Sequence, residues 1–263
     1  MTKVCLTIAG LDPSGGAGII ADIKTFTAFG CFATAAVTSV TFQNTTGVFG
    51  AVHQTAETVR GQIEPVIEDF EVAALKTGMM PTREIIEEVA RLVQFGKMKN
   101  FVVDPVVRST SGFDLIDDEA LKTLIEKLFP LADIVTPNLP EAERITNIKI
   151  ENEKDIERAA RIMQNYGAKA VLIKGGHFLT AEGGRRKAKD FLFEGDEFQT
   201  FEAKFIETNA THGTGCTLAA AITANLALGK SLGEAVETAK KFVTGAIRGA
   251  PNLGHGHSPI GIK

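Results

Sequence analysis

The stretch ETNATHGTGCTLAAAI, residues 207–222, decides how the whole chain is read. Polar residues run into Gly213-Thr214-Gly215, then Cys216, then an Ala-rich apolar run suited to a helix packed closely on a sheet. Two glycines around a threonine at a helix start let backbone N–H groups point at an oxyanion, and the helix dipole favours negative charge there. A thiol in the first turn beside those amides tends to have its thiolate stabilised, which makes it a candidate base. The bland alternative is an ordinary helix start with a small cysteine facing the core. Local chemistry leaves both open.

Outward from this stretch, apolar β-rich runs alternate with amphipathic ones. Strands are expected at 4–10, 31–43, 72–78, 101–105, 132–138 and 170–176, and helices at 18–30, 55–70, 82–96, 117–129, 153–166, 214–228 and 231–248. In the 82–96 helix, Ile85, Ile86, Val89, Leu92 and Val93 fall on one face. KDFLFEG and EFQTFEAKFI read as a hairpin across Gly195-Asp196. Strands apolar on both faces, each followed by a helix, indicate a parallel sheet covered on both sides. Right-handed crossovers then bring the strand ends to one edge, where such folds bind ligands. Gly10-Leu-Asp12, Gln43-Asn44, Lys76-Thr-Gly78, Asp104-Pro105, Thr136-Pro-Asn138 and Lys174-Gly-Gly176 all fall there. With no linker or low-complexity tract, the expectation is a single domain over 1–263.

The 263 residues carry a net charge of −4, which gives no support for binding nucleic acid or an anionic membrane. The N-terminal apolar run is too short for a signal peptide, and nothing reaches transmembrane length. Cys5, Cys31 and Cys216 show no disulfide or zinc spacing, so a reduced, cytoplasmic protein is expected.

Other segments carry weaker signals. GLDPSGGAG (10–18) joins a strand to a helix but lacks the Lys-Ser/Thr of a P-loop and the spacing of a dinucleotide fingerprint. It reads as a tight turn or as backbone approaching a small ligand, with Asp12 or Asp22 offering a carboxylate. In TPNLPEAE (136–143), Asn138 and Glu141 are one helical turn apart. They suit either a Mg²⁺ held largely through water and phosphates or a helix cap. Asp104 is a comparable ligand or a turn residue, and Lys174 either neutralises phosphate or is merely solvated. His255-Gly-His257 reads as loop chemistry.

The order of these motifs is more specific than any one of them. TIAGLDPSGGAGIIADIKTF, TFQNT, KTGMM, VVDPV, TPNLPEAE, VLIKGGH and THGTGC together resemble the ribokinase-like kinases, and within them the hydroxymethylpyrimidine/phosphomethylpyrimidine kinases of thiamine biosynthesis. The resemblance covers nearly the whole chain. It implies a three-layer α/β/α sandwich with a mostly parallel sheet, ATP and Mg²⁺ as cofactors, and a homodimer. It implies Cys216 as the base for the hydroxymethyl proton, with Gly213, Thr214, Gly215 and Cys216 amides as the anion hole. Asn138 and Glu141 match the motif that positions Mg²⁺, with Asp104 nearby. Lys174 and Thr211 fall on the nucleotide side. Gln43 matches the glutamine that pairs with the pyrimidine edge, and Gly10, Ala17, Asp22 and Met79 match other pocket positions.

The chain departs from the pattern in three places. Thr110, two residues after Arg108, stands where a lysine is usual; the segment before the histidine reads TNATH with Asn209; and the tail reads GHGHSPI. The first two remove basic charge near phosphates and bear on the second of the family's two phosphorylations. A pyridoxal kinase of the same fold is the competing reading, against which Gln43 favours an aminopyrimidine. A non-catalytic derivative would be expected to lose Cys216 or the Gly-Thr-Gly, and a dinucleotide oxidoreductase would carry G-x-G-x-x-G.

Overall fold

The computed structural model describes residues 1–108, 112, 114–182 and 185–263, with backbone alone at 176–182, 185 and 186. Thr110 lies outside the described residues. The chain runs β1 (Val4–Leu11), α1 (Gly18–Ala28), β2 (Phe32–Asn44), β3 (Gly47–His53), α2 (Ala56–Asp69), β4 (Val72–Thr77), α3 (Arg83–Phe95) and β5 (Phe101–Val103). It continues through α4 (Asp118–Lys127), β6 (Ile134–Val135), α5 (Leu139–Thr146), α6 (Glu153–Asn165), β7 (Ala170–Glu182), β8 (Arg185–Glu194), β9 (Glu197–Lys204), α7 (Thr214–Ala227) and α8 (Leu232–Arg248).

The strands form one sheet in the order β3-β2-β1-β4-β5-β6-β7-β8-β9. From β2 to β7 neighbouring strands are parallel, while β3, β8 and β9 join antiparallel at the two edges. Period-two alternation divides the strand residues between two faces. Leu6, Ile8, Val103, Val135, Val171 and Ile173 pack with residues of α2 to α6. Cys5, Val102, Ile134, Ala170 and Leu172 point the other way, among residues of α1, α7 and α8. The result is the expected α/β/α sandwich with a mostly parallel sheet.

The local signals are met where they were strong. Thr82 caps α3 by accepting from the Ile85 N–H at 3.4 Å, and Ile85, Ile86, Val89, Leu92 and Val93 are all buried. The hairpin pairs Glu194 with Glu197, so Gly195-Asp196 is the two-residue turn, with Gly195 at φ +59°. β3, α5 and the lengths of β5, β6 and β7 depart from the sequence reading. β3 was unassigned; it pairs with β2 from Ser39↔His53 to Asn44↔Gly47, and its Gly- and Val-rich sequence lacks clear alternation. The strand expected at 132–138 shrinks to two residues, because Asp133 and Thr136-Pro137 serve neighbouring backbone with single bonds. The Asp133 carboxylate accepts from the Phe101 N–H, and the Thr136 N–H donates to Val103 O.

Crossovers from β1 run toward β2 and those from β4 run toward β5, so the sheet reverses direction between adjacent β1 and β4. A crevice forms outside the carboxyl ends of the strands at such a point. Single hydrogen bonds continue the parallel register past these ends: Gly78 N–H to Ile8 O, Asp104 N–H to Thr77 O and Lys174 N–H to Pro137 O.

On the α1/α7 face, Ala220 and Ala224 of α7 are fully buried with Cys5, Phe26 and Ala74. Only a methyl group fits between helix and sheet. Ala220→Leu should lower stability by about 1–3 kcal/mol, read as a fall in Tm of roughly 2–4 °C per kcal/mol by calorimetry. An unchanged Tm would contradict close packing of α7.

Candidate active site

α7 begins as the motif requires. Gly213 is its N-cap at φ +84°, and a Cβ there would run into the Gly16 carbonyl. Only glycine allows both the left-handed turn and this approach of the two Gly-rich loops. The N–H groups of Gly213, Gly215 and Cys216 have no partner among the described residues, while the Thr214 N–H donates to Thr211 O at 3.3 Å. Three of the four expected amides are thus open to an anion.

The loops are tied together by Asp12 and His212. His212 Nε2 lies 2.7 Å from Asp12 Oδ2, and both side chains are buried. Asp12 also accepts from the N–H groups of Ser14, Gly16 and Ala17 and from the Ser14 hydroxyl. Burial opposes its charge, but His212 and Ser14 outweigh that and hold the carboxyl below its ordinary range. Packing is tight: a Cβ on Gly16 would collide with the His212 ring. Gln43 joins this cluster, its amide 3.4 Å from His212 Nε2 and 3.0 Å from the Thr41 hydroxyl.

Cys216 is half-buried in the first turn of α7, and the Gly18 N–H at the start of α1 donates to its sulfur. One turn along α1, Asp22 accepts from Lys76 Nζ at 2.8 Å and from Thr7 Oγ1 at 2.6 Å, with Lys76 and Asp22 fully enclosed. Burial pushes the Cys216 thiol up to about 12; Lys76 pulls it down, and Asp22 and Asp104 push it further up. The expected thiolate stabilisation is therefore corrected: desolvation by burial outweighs Lys76 and the Gly18 N–H. Asp22 itself, assigned to the pocket, lies beneath it as the partner of Lys76. Burial raises its pKa, while the lysine opposes the rise.

A second charged cluster faces Gly215. Lys174 Nζ would sit 3.3 Å from a Cβ there, and it pairs with Asp104 at 2.9 Å and Glu141 at 3.8 Å. Asn138 and Glu141 form a reciprocal capping box on α5, and Glu141 Oε1 also accepts from the Val107 N–H. The capping reading of this motif is thus met. Asp104, after β5, and Glu141, in the first turn of α5, are buried; Asp104 Oδ1 accepts from Thr136 and Lys174, and both Glu141 oxygens accept from backbone N–H groups. No group of three His, Cys, Asp or Glu side chains forms a metal cage among the described residues. That donor set fits a Mg²⁺ held through water and phosphate oxygens and does not fit a cation bound by protein alone.

The remaining candidates fall in place around these clusters. Met79 is buried, its carbonyl accepts from Thr38, and its sulfur lies 3.0 Å from where a Cβ of Gly10 would be. Met79 also lines an adjoining cavity of about 550 Å³ with His53, Ile116 and Arg144. Ala17 is half-buried beside Asp12, and Thr211 Oγ1 lies 3.1 Å from His257 Nδ1, which brings the tail into contact with the loop. Arg108 is exposed and paired with Asp114 at 2.8 Å. The sequence places Lys76 at the ligand edge without a role and does not single out His212. The signal for Lys76 was a lone lysine ending an apolar strand; His212 had none beyond adjacency to the glycines.

The lowered pKa of Asp12 gives a pH dependence with a definite sign. Below its ordinary value of about 4, the unfolded chain is protonated at Asp12 while the folded one is not, so stability rises with pH in that window. Wild type should therefore lose stability more steeply than Asp12→Asn as pH falls from about 4 toward the lowered folded value. Parallel denaturant titrations check this, and identical acid slopes would contradict it.

The phosphomethylpyrimidine kinase family profile matches residues 12–261. A hydroxymethylpyrimidine/phosphomethylpyrimidine kinase of Haemophilus influenzae is 46% identical over 257 residues, 98% of this chain and 95% of that protein. Among solved structures, phosphomethylpyrimidine kinase from Clostridium difficile 630 is 43% identical with a TM-score of 0.81, covering 94% of this chain and 100% of that one. Bacillus subtilis pyridoxal kinase, solved as an ADP complex, is 36% identical with a TM-score of 0.91, over 100% of this chain and 98% of that one. Near full-length matches at this identity, on a chain whose Gly-Thr-Gly-Cys turn heads α7 over a parallel sheet, place it: this chain belongs to the phosphomethylpyrimidine kinases, phosphotransferases of the ribokinase-like fold.

Proposed function

We propose that this protein transfers the γ-phosphate of ATP to 4-amino-5-hydroxymethyl-2-methylpyrimidine and then to its monophosphate, as a step of thiamine biosynthesis. The observation that carries the reading is the convergence of Gln43, Cys216 and the open amides of α7 on the two loops joined by Asp12 and His212. Gln43 reads the ring edge, with Gly10, Ala17 and Met79 shaping the rest of the pocket. Once the Cys216 thiol has released its own proton to solvent, the hydroxymethyl oxygen attacks the γ-phosphorus, its proton passes to the Cys216 thiolate, and ADP leaves. The free amides of Gly213, Gly215 and Cys216 meet the charge on the transferring phosphoryl oxygens. Lys174 and Thr211 lie on the nucleotide side.

Asp104, Glu141 and Asn138 would hold Mg²⁺ through water, and the ion would supply positive charge against the phosphates and these carboxylates. With Asp104 compensated, Lys76 and the Gly18 N–H remain as groups that favour the Cys216 thiolate. The proton leaves late, because a thiolate is a weaker base than an alkoxide. The protein works in the cytoplasm as a homodimer and a single domain. Phe42, Phe49 and Val52, exposed on the β2–β3 hairpin, supply apolar surface for the pairing.

Mass spectrometry of products from Mg-ATP with the pyrimidine alcohol, or with pyridoxal, tests the proposal. Pyrimidine mono- and diphosphate are expected from wild type, and Cys216→Ala should lower turnover by about 10²–10⁴-fold. Phosphate on pyridoxal alone would transfer the assignment to pyridoxal kinase, the reading favoured by the TM-score of 0.91 to such an enzyme. Near-wild-type turnover of Cys216→Ala would remove the base.

A further inference from the structure

The chain that follows α8 touches both halves of the site. It leaves the end of α8 and comes back to it: the Gly261 N–H donates to Ala246 O at 2.9 Å, and Ile260 is buried. Between these anchors the buried Ser258 closes a turn. Its hydroxyl accepts from the Leu253 N–H at 3.0 Å and donates to Pro259 O at 3.2 Å. The tip at Gly256-His257 is therefore braced from both sides.

On one side this tip grips the turn between β2 and β3, just past Gln43. The His257 N–H donates to Thr45 O at 2.8 Å, and the Gly256 N–H donates to Thr45 Oγ1 at 3.3 Å. The approach is so close that a Cβ on Gly256 would run into the Thr45 carbonyl. On the other side it grips the loop that opens α7. Ser258 O accepts from the His212 N–H at 3.3 Å, and His257 Nδ1 lies 3.1 Å from Thr211 Oγ1. Either tautomer of His257 serves, because a hydroxyl both donates and accepts. Thr211 in turn closes the first turn of α7: its carbonyl accepts from the N–H and the hydroxyl of Thr214, at 3.3 and 3.0 Å.

We propose that His257 is a positioning residue: by holding Thr45 with its backbone and Thr211 with its ring, it sets the spacing between the strand end that carries Gln43 and the Gly213–Cys216 turn. His257 is exposed, so its contribution lies in placement more than in core packing. Phosphoryl transfer depends on such spacing, since an acceptor held slightly out of line reacts more slowly even when each substrate still binds. This inference rests on the proposed reading of Gln43 as the ring site and of the α7 turn as the phosphoryl site.

The test is a set of kcat and KM measurements for the pyrimidine alcohol and ATP in His257 variants, with Tm recorded for each. His257→Ala should lower kcat by about 3–10-fold, the loss of one hydrogen bond, with both KM values nearly unchanged. His257→Asn, whose side-chain amide puts a hydrogen-bonding atom where Nδ1 stands, should recover most of that loss. In a Thr211→Val background, His257→Ala should add less than about twofold. An unchanged kcat, no recovery by His257→Asn, or an equal fall on both backgrounds would overturn the proposal. If wild type leaves the pyrimidine unphosphorylated, the proposed function has failed, and the contact is then read by amide hydrogen exchange. His257→Ala should speed exchange of the Thr214 N–H, and an unchanged rate would overturn the proposal.

Discussion

Asp12 and His212 are 200 residues apart in sequence and 2.7 Å apart in space. Their bond closes the loop after β1 onto the loop before α7, and the geometry of the candidate site follows from that closure. It sets the Gly16 carbonyl against Gly213, where any side chain would collide, and so places the start of α7. It brings the first residue of α1 against the Cys216 sulfur. It also puts His212 beside Gln43, so that the side chains proposed to read the ring and to take the proton stand on one frame. A charge-assisted hydrogen bond enclosed by packing is stronger than an exposed one, and an unmade partner there would be costly.

Beneath this frame lie two sets of enclosed charge. Lys76 and Asp22 are fully buried, and Lys174 is shared between Asp104 and Glu141. Buried ion pairs are weak devices for stability, since desolvation consumes most of the attraction. Their arrangement makes better sense as a field around Cys216, in which Lys76 favours the thiolate while Asp22 and Asp104 oppose it. Burial holds the thiol's pKa well above its ordinary value.

Much of this was legible in the sequence because strong periodicity and turn chemistry act locally. Val171 to Ile173 and the α3 stripe announce buried elements without help from the rest of the chain. The order of the Gly-rich and strand-end motifs was enough to bring out the family. What escaped depends on distant partners. β3 exists because β2 offers it an edge, and its Gly47-Val-Phe-Gly-Ala-Val sequence has little strand character of its own. The roles of His212 and Lys76 depend on Asp12 and Asp22, which lie far away in sequence, and Lys76 is fully enclosed. The helix-start argument for Cys216 counted the amides and left out burial, which raises the thiol's pKa against the pull of Lys76 and the Gly18 N–H.

The central claim is that one small molecule touches Gln43 and Cys216 at once. A crystal structure with the pyrimidine alcohol and a non-hydrolysable ATP analogue measures this directly. The account predicts the ring edge on the Gln43 amide and the hydroxymethyl oxygen within about 3.5 Å of Cys216 Sγ. A ring bound away from Gln43, with the hydroxymethyl group pointing clear of the sulfur, would contradict it.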